Sequence, residues 1–225
     1  MSSRARAAKV RPKEALSVNV KTIGLAAFIA LVLLTEPAFA HHVMDGRTPV
    51  SFVDGLLSGL GHPIIGLDHF AAVVAVGCLT VAHKAAPALA IGFVLAMIAG
   101  VAVHIAGASV PGAEILVALS VIGLGVAMLR RQQLSARAAL ILFAVVGLVH
   151  GYVLGESIYG AEPAPLYAYL LGLAVIQSAI ALAAMSVARA LIRRADDHSP
   201  LRLVGAGIAG IGLAILMQQI IPAAA

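Results

Sequence analysis

The sequence predicts an all-α integral membrane protein, with six transmembrane helices after an N-terminal signal peptide and one short interfacial or re-entrant helix before the first span. Three observations carry this. Of 225 residues, 61% are hydrophobic and 11% charged, and the mean hydropathy is +1.03, far more apolar than a soluble domain of this length. Six apolar runs past residue 41 are long enough to cross a ~30 Å hydrocarbon core. The basic residues collect in alternate connections between those runs, as the positive-inside rule requires.

Residues 1–40 read as the signal peptide. Arg4, Arg6, Lys9, Arg11, Lys13 and Lys21 precede the apolar run IGLAAFIALVLL, and TEPAFA then ends in the small-x-small pattern Ala38-Phe39-Ala40. Cleavage is expected after Ala40, because a run this short falls below the ~20 residues of a span. Beyond residue 40 the basic and acidic residues nearly balance, so no basic field argues for nucleic acid. The single Cys78 excludes an internal disulfide.

Residues 41–61 are expected to be a periplasmic N-terminus carrying the short helix. Phe52, Val53, Leu56, Leu57 and Leu60 share one face there at helical spacing. Residues 62–225 form the six-helix domain, with spans at about 64–82, 86–107, 113–129, 137–155, 165–188 and 203–221. His62 precedes Pro63, a favoured first helical residue, so the first span is expected to start there.

Lys84, then Arg130, Arg131 and Arg137, then Arg189, Arg193, Arg194 and Arg202 mark three cytoplasmic connections. The loops GASVPGAE and ESIYGAEPAP carry no cation and face outward. A bacterial inner-membrane protein with both mature termini in the periplasm follows. No G-x4-G-K-[ST] loop is present, so nucleotide-driven pumping has no engine.

The informative residues are the ionisable ones inside the apolar runs. Each costs about 2.5–3.5 kcal/mol on insertion scales, so each should face the bundle interior and have a partner or a task. His62, Asp68 and His69 open the first span, His104 lies near the outer end of the second, and His150 and Glu156 close the fourth. This topology brings all six toward the outer face. His62 and His69 are seven positions apart, which puts them on one helix face but about 10.5 Å apart along the axis. Asp68 is turned ~100° from His69 and is placed to orient an imidazole. HGYVLGE also echoes HPIIGLD, an acid following a His at the sixth position in each, as an inverted repeat would produce.

Neutral imidazole with carboxylate suits borderline divalent metals such as nickel, cobalt and zinc, whereas Mg²⁺ or Ca²⁺ call for oxygen ligands. The alternative for Asp68 with His69 is a buried hydrogen-bonded pair that locks packing. For His62 it is a helix-start cap, for Glu156 a wet loop, and for His104 a bond across a tight helix interface. His41 and His42, at the expected mature N-terminus, are candidate entrance chelators. Asp196, Asp197 and His198 read first as a polar turn, the alternative being a cluster that receives an exiting ion.

At this point HPIIGLDHFAAVVAVG resembles the signature of the HupE/UreJ family of nickel and cobalt permeases, with His62, Asp68 and His69 matching H-x5-D-H. VHGYVLGES is similar to the second signature of that family through His150, Gly151, Gly155 and Glu156. Val149 stands where Phe is usual, and Leu154 where a second His often appears. The resemblance implies a six-helix permease, not an enzyme, with Ni²⁺ or Co²⁺ as transported substrate and no permanently bound cofactor. It also implies delivery toward hydrogenase or urease maturation, and is compatible with a homo-oligomer. Two other classes remain. Paired histidines on facing helices suit a haem in an assembly factor or electron carrier, and an intramembrane hydrolase would need H-E-x-x-H or G-x-S-x-G, neither of which is present.

Overall fold

The computed structural model describes residues 47–130, 133–195 and 197–221. The expectations for the signal peptide, His41, His42, Arg131 and Asp196 lie outside these. Among the described residues the chain is helical with no strand. Its helices are α1 (Phe52–Ile65), α2 (Leu67–Thr80), α3 (Ala86–Ile105), α4 (Ala113–Leu129), α5 (Ala136–Leu154), α6 (Pro163–Ala195) and α7 (Ser199–Ile220), with a 3-10 turn at Glu156–Ile158.

The expected spans correspond to α2 through α7. Helices α3, α5 with its 3-10 extension, α6 and α7 are each long and apolar enough to cross a membrane, and α1 with α2 qualifies only as a pair bent by 77°. Helix α4, at 17 residues, sits at the short end of the ~17–25 residue range for a span. The protein is therefore an all-α integral membrane protein.

The beginning of the first span differs from expectation. His62 and Pro63 lie inside α1 and do not start a helix; the break falls at Gly66, whose extended backbone (φ −72°, ψ 102°) both ends α1 and begins α2. The helix begins early because Ser51 and Asp54 form a reciprocal capping box, Ser51 Oγ accepting from the Asp54 amide and Asp54 Oδ2 from the Ser51 amide, each at 3.1 Å. Pro63 is tolerated only a few residues from the end, and the chain turns at the next glycine. On α1, Phe52, Val53 and Leu57 are exposed, while Gly55, Ser58, Gly59 and His62 face inward. This is the amphipathic face that the sequence marked.

Three pairings organise the bundle: α3 lies along α5, α4 along α7, and α6 along α1 and then α2. Their register sets direction. Gly147 backs onto Phe93, Gly151 onto Met97 and Gly155 onto His104, so α3 and α5 are parallel. Gly55 meets Pro165, Gly59 meets Tyr169 and Gly77 meets Ala181, so α6 runs parallel to α1 and α2. Gly125 meets Gly205 and Ala209 while Gly212 meets Ile122, so α4 and α7 are antiparallel. Helices α2 to α7 alternating in direction give this arrangement. Small residues at the crossings let backbones touch where lipid supplies no hydrophobic drive.

Phe93, Met97, Leu124, Phe143, Val73 and Val76 fill the core, whereas Leu95, Ile141, Val175 and Val187 are more than half exposed and form the lipid-facing side. The described cations Lys84, Arg130, Arg137, Arg189, Arg193, Arg194 and Arg202 lie at one end of the bundle. His69 and His150 lie at the other, since His69 opens α2 and His150 is in the last turns of α5. Arg47, before α1, is the exception.

Candidate functional site

The site is built around the Gly66 break. A continuous helix would hold His62 and His69 about 10.5 Å apart along its axis; the bend brings their ring centroids to 6.0 Å. His62 sits in the last turn of α1 and Asp68 and His69 in the first turn of α2. A Cβ on Gly66 would press on His69 Cδ2 at 2.9 Å and Asp68 Oδ1 at 3.1 Å, so the glycine makes room for both. Asp68 Oδ1 accepts from the His69 amide at 2.8 Å, at a helix N-terminus where exposed amides and the helix dipole favour a carboxylate.

Helix α5 supplies the third imidazole. His69 and His150 rings have centroids 5.0 Å apart, with Nδ1 to Nδ1 at 2.9 Å. His150 is fully buried, and His62, Asp68 and His69 are each at most 6% exposed. On the far side of His150, Nε2 lies 2.8 Å from Ser120 Oγ on α4. The Ser120 hydroxyl donates to the Val117 carbonyl at 2.7 Å. One hydroxyl carries one proton, which assigns the chain of bonds. His150 Nε2–H donates to Ser120 and His150 Nδ1 accepts from His69 Nδ1–H, while His69 Nε2 lies 4.0 Å from Asp68 Oδ1.

Four of the six sequence-predicted residues are thus brought together: His62, Asp68, His69 and His150. The other two are placed differently. His104 stacks with Tyr152 and Tyr159, centroids 4.7 and 5.6 Å away, in a position that Gly155 allows by lacking a Cβ. Glu156 is exposed at the start of the 3-10 turn. Among the described residues no three His, Cys, Asp or Glu side chains converge closely enough to hold one metal ion. The His62 and His150 motifs also share one end of the bundle, whereas a two-fold axis in the membrane plane would carry equivalent positions to opposite ends. The echo between them is therefore not a symmetry.

Two residues escaped sequence reasoning. Ser120 is a lone hydroxyl in an apolar helix, with no periodicity to single it out. Glu114, read as part of an outer loop, opens α4 and is half-buried within electrostatic range of both Asp68 and Glu156. The walls around the cluster are tied by tyrosines. Tyr152 OH donates to the Ala108 carbonyl at 2.8 Å and accepts from the Val110 amide at 2.9 Å, while Tyr169 OH donates to the Leu154 carbonyl at 2.8 Å. At the opposite end a cavity of about 480 Å³ is lined by Cys78, His83, Met128, Arg130, His198 and Arg202 among others. In that end's polar turn, hydrogen bonds from the Ser199 hydroxyl and amide hold the exposed Asp197 carboxyl below the usual range.

Residues 29–215 match the family described as "HupE / UreJ protein". One similar protein is Protein HupE of Rhizobium leguminosarum bv. viciae, 35% identical over 127 residues, which cover 56% of this chain and 64% of that relative. The match thus spans a little under two thirds of the relative. No solved structure gives a significant match.

Proposed function

The chain belongs to the HupE/UreJ family, and from that premise we propose that it is a secondary permease passing a divalent transition metal, nickel ahead of cobalt, into the cytoplasm. Members of the family are transporter-type proteins and not enzymes. The observation that carries the reading is the buried His62–Asp68–His69–His150 cluster gathered from two ends of a broken span and a second helix. Charged and imidazole groups at such depth are costly unless they partner one another or a substrate.

In this reading the cluster faces the periplasm and the arginine-rich end faces the cytoplasm. His69 Nε2 and the Asp68 carboxylate take the dehydrated cation, with His62 closing over it. His150 orients His69 through Nδ1, as the partner of a metal-ligating imidazole does. A +2 ion moving inward through 100 mV gains about 4.6 kcal/mol, so no nucleotide is needed. Protonation of the imidazoles assists release, since the ligating form is neutral. Glu156 and Glu114 attract the hydrated ion at the mouth, and His104 lines the approach. The ion then serves nickel-enzyme maturation.

The test is nickel uptake into proteoliposomes holding the full chain, with cobalt and zinc as competitors. Nickel uptake that cobalt suppresses is expected, with the zinc arm reading how far the site selects among borderline metals; liposomes no leakier to nickel than empty ones would rule the permease out. Ser120→Ala removes the acceptor that holds His150 Nε2–H, and is expected to lower nickel uptake about 10-fold at unchanged protein level. Equal uptake would mean that the orientation of His150 is immaterial. The haem reading is not favoured: an iron between His69 and His150 would set their nitrogens ~4 Å apart, two metal–nitrogen bonds of ~2 Å, and they stand at 2.9 Å.

A further inference from the structure

Between the histidine cluster and the cavity at the arginine-rich end lies the interior of the bundle, which a crossing ion must traverse. Helix α2 spans that distance. His69 is in its first turn and Cys78, which lines the cavity, near its last; the two are about 13.5 Å apart along the helix. Few polar side chains are buried in the described bundle: Ser58, His62, Asp68, His69, Thr80, His150 and Gln177. Thr80 is committed locally, its hydroxyl donating to the Gly77 carbonyl at 2.7 Å.

Gln177 stands apart. It is fully buried, and neither its Oε1 nor its Nε2 has a hydrogen-bond partner among the described residues. Buried amides are almost always bonded, and an exception calls for a reason. Its position is defined by its helix. Leu173, Gln177 and Ala181 form one i, i+4, i+8 stripe on α6. One turn before it Leu173 meets α1 at Gly59, and one turn after it Ala181 meets α2 at Gly77. Gln177 therefore faces the region where α1 gives way to α2, inward of His69 and outward of the cavity.

Resting on the permease reading above, we propose that Gln177 is a relay ligand for the translocated cation, its Oε1 taking the ion after the His69–Asp68 site and before the inner cavity. A neutral carbonyl oxygen suits that task. It replaces one water of the hydration shell, yet binds too weakly to trap the ion, as a conducting site must. A carboxylate at the same place would hold a divalent ion against release.

The experiment uses Gln177→Leu, of similar volume, in the full chain. If Gln177 relays the ion, nickel uptake into proteoliposomes falls at least 10-fold, nickel binding to the detergent-solubilised protein stays within 2-fold, and the melting temperature is unchanged or raised, because an unbonded buried amide has been removed. Gln177→Glu is expected to bind nickel more tightly and transport it more slowly. Wild-type uptake by Gln177→Leu overturns the proposal, as does a loss of uptake that is accompanied by a lower melting temperature or lost binding, which would mark a structural role. Wild-type protein that moves no nickel overturns the permease reading itself.

Discussion

His69→Ala and Asp68→Asn are each expected to abolish nickel accumulation while the protein inserts at normal levels. Removing the groups around a metal ligand typically costs 10–100-fold, so removing a ligand should cost more than that, about 100-fold or beyond. The two variants act on one chain of contacts. His69→Ala deletes the imidazole that lies between His62 and His150, at 6.0 and 5.0 Å ring separation. It also leaves His150 Nδ1 without its donor. Asp68→Asn keeps the shape and removes the negative charge, so a loss there reports electrostatics and not packing. Radioactive nickel uptake by cells producing each variant, normalised to membrane protein, measures the effect. Uptake near the wild-type level in either would remove the central pair from the site.

Gly151→Ala is expected to be the most damaging of the small substitutions to stability. A Cβ there would collide with the Met97 backbone, carbonyl and Cα alike, so the two helices must separate and no side chain can yield instead. Overpacking of this kind costs about 1–3 kcal/mol, and a backbone-to-backbone collision belongs at the upper end. Because Gly151 adjoins His150, the shift would also pull His150 from Ser120 and His69. Gly123→Ala supplies the contrast, since nothing lies within 4 Å of its added carbon. Helix propensity then favours alanine by up to ~1 kcal/mol. Thermal melts of the two variants in detergent should move in opposite directions, and a neutral Gly151→Ala would mean that α3 and α5 do not touch backbone to backbone at Met97.

Much of the bundle was readable in the residues because hydropathy is a local quantity. The apolar runs located α3, α4, α5 and α7 to within a few residues. The exception is instructive. His62-Pro63 has the signature of a helix start, but Ser51 and Asp54 had already nucleated a helix upstream, and the capping box outweighed the proline. That box is written in the sequence as S-x-x-D at Ser51 and Asp54.

Beyond the two segments that resemble family signatures, the site was legible as a set of expensive residues. Insertion cost singles out His62, Asp68, His69, His104, His150 and Glu156 without regard to geometry, and the alternation of spans sends all six to one end. By itself, then, the sequence determined the membrane class, the direction of each helix and the pool of polar side chains, since all three depend on composition and on spacing along the chain. Tertiary structure alone decided which members of that pool meet. The bend at Gly66 folds His62 back onto His69, and packing across 81 positions of chain sets His69 against His150. The same packing turns His104 toward two tyrosines and leaves the Gln177 amide inside the bundle without a partner among the described residues. Contacts of that kind arise from backbone approach at glycines on different helices, a distance that no local pattern encodes.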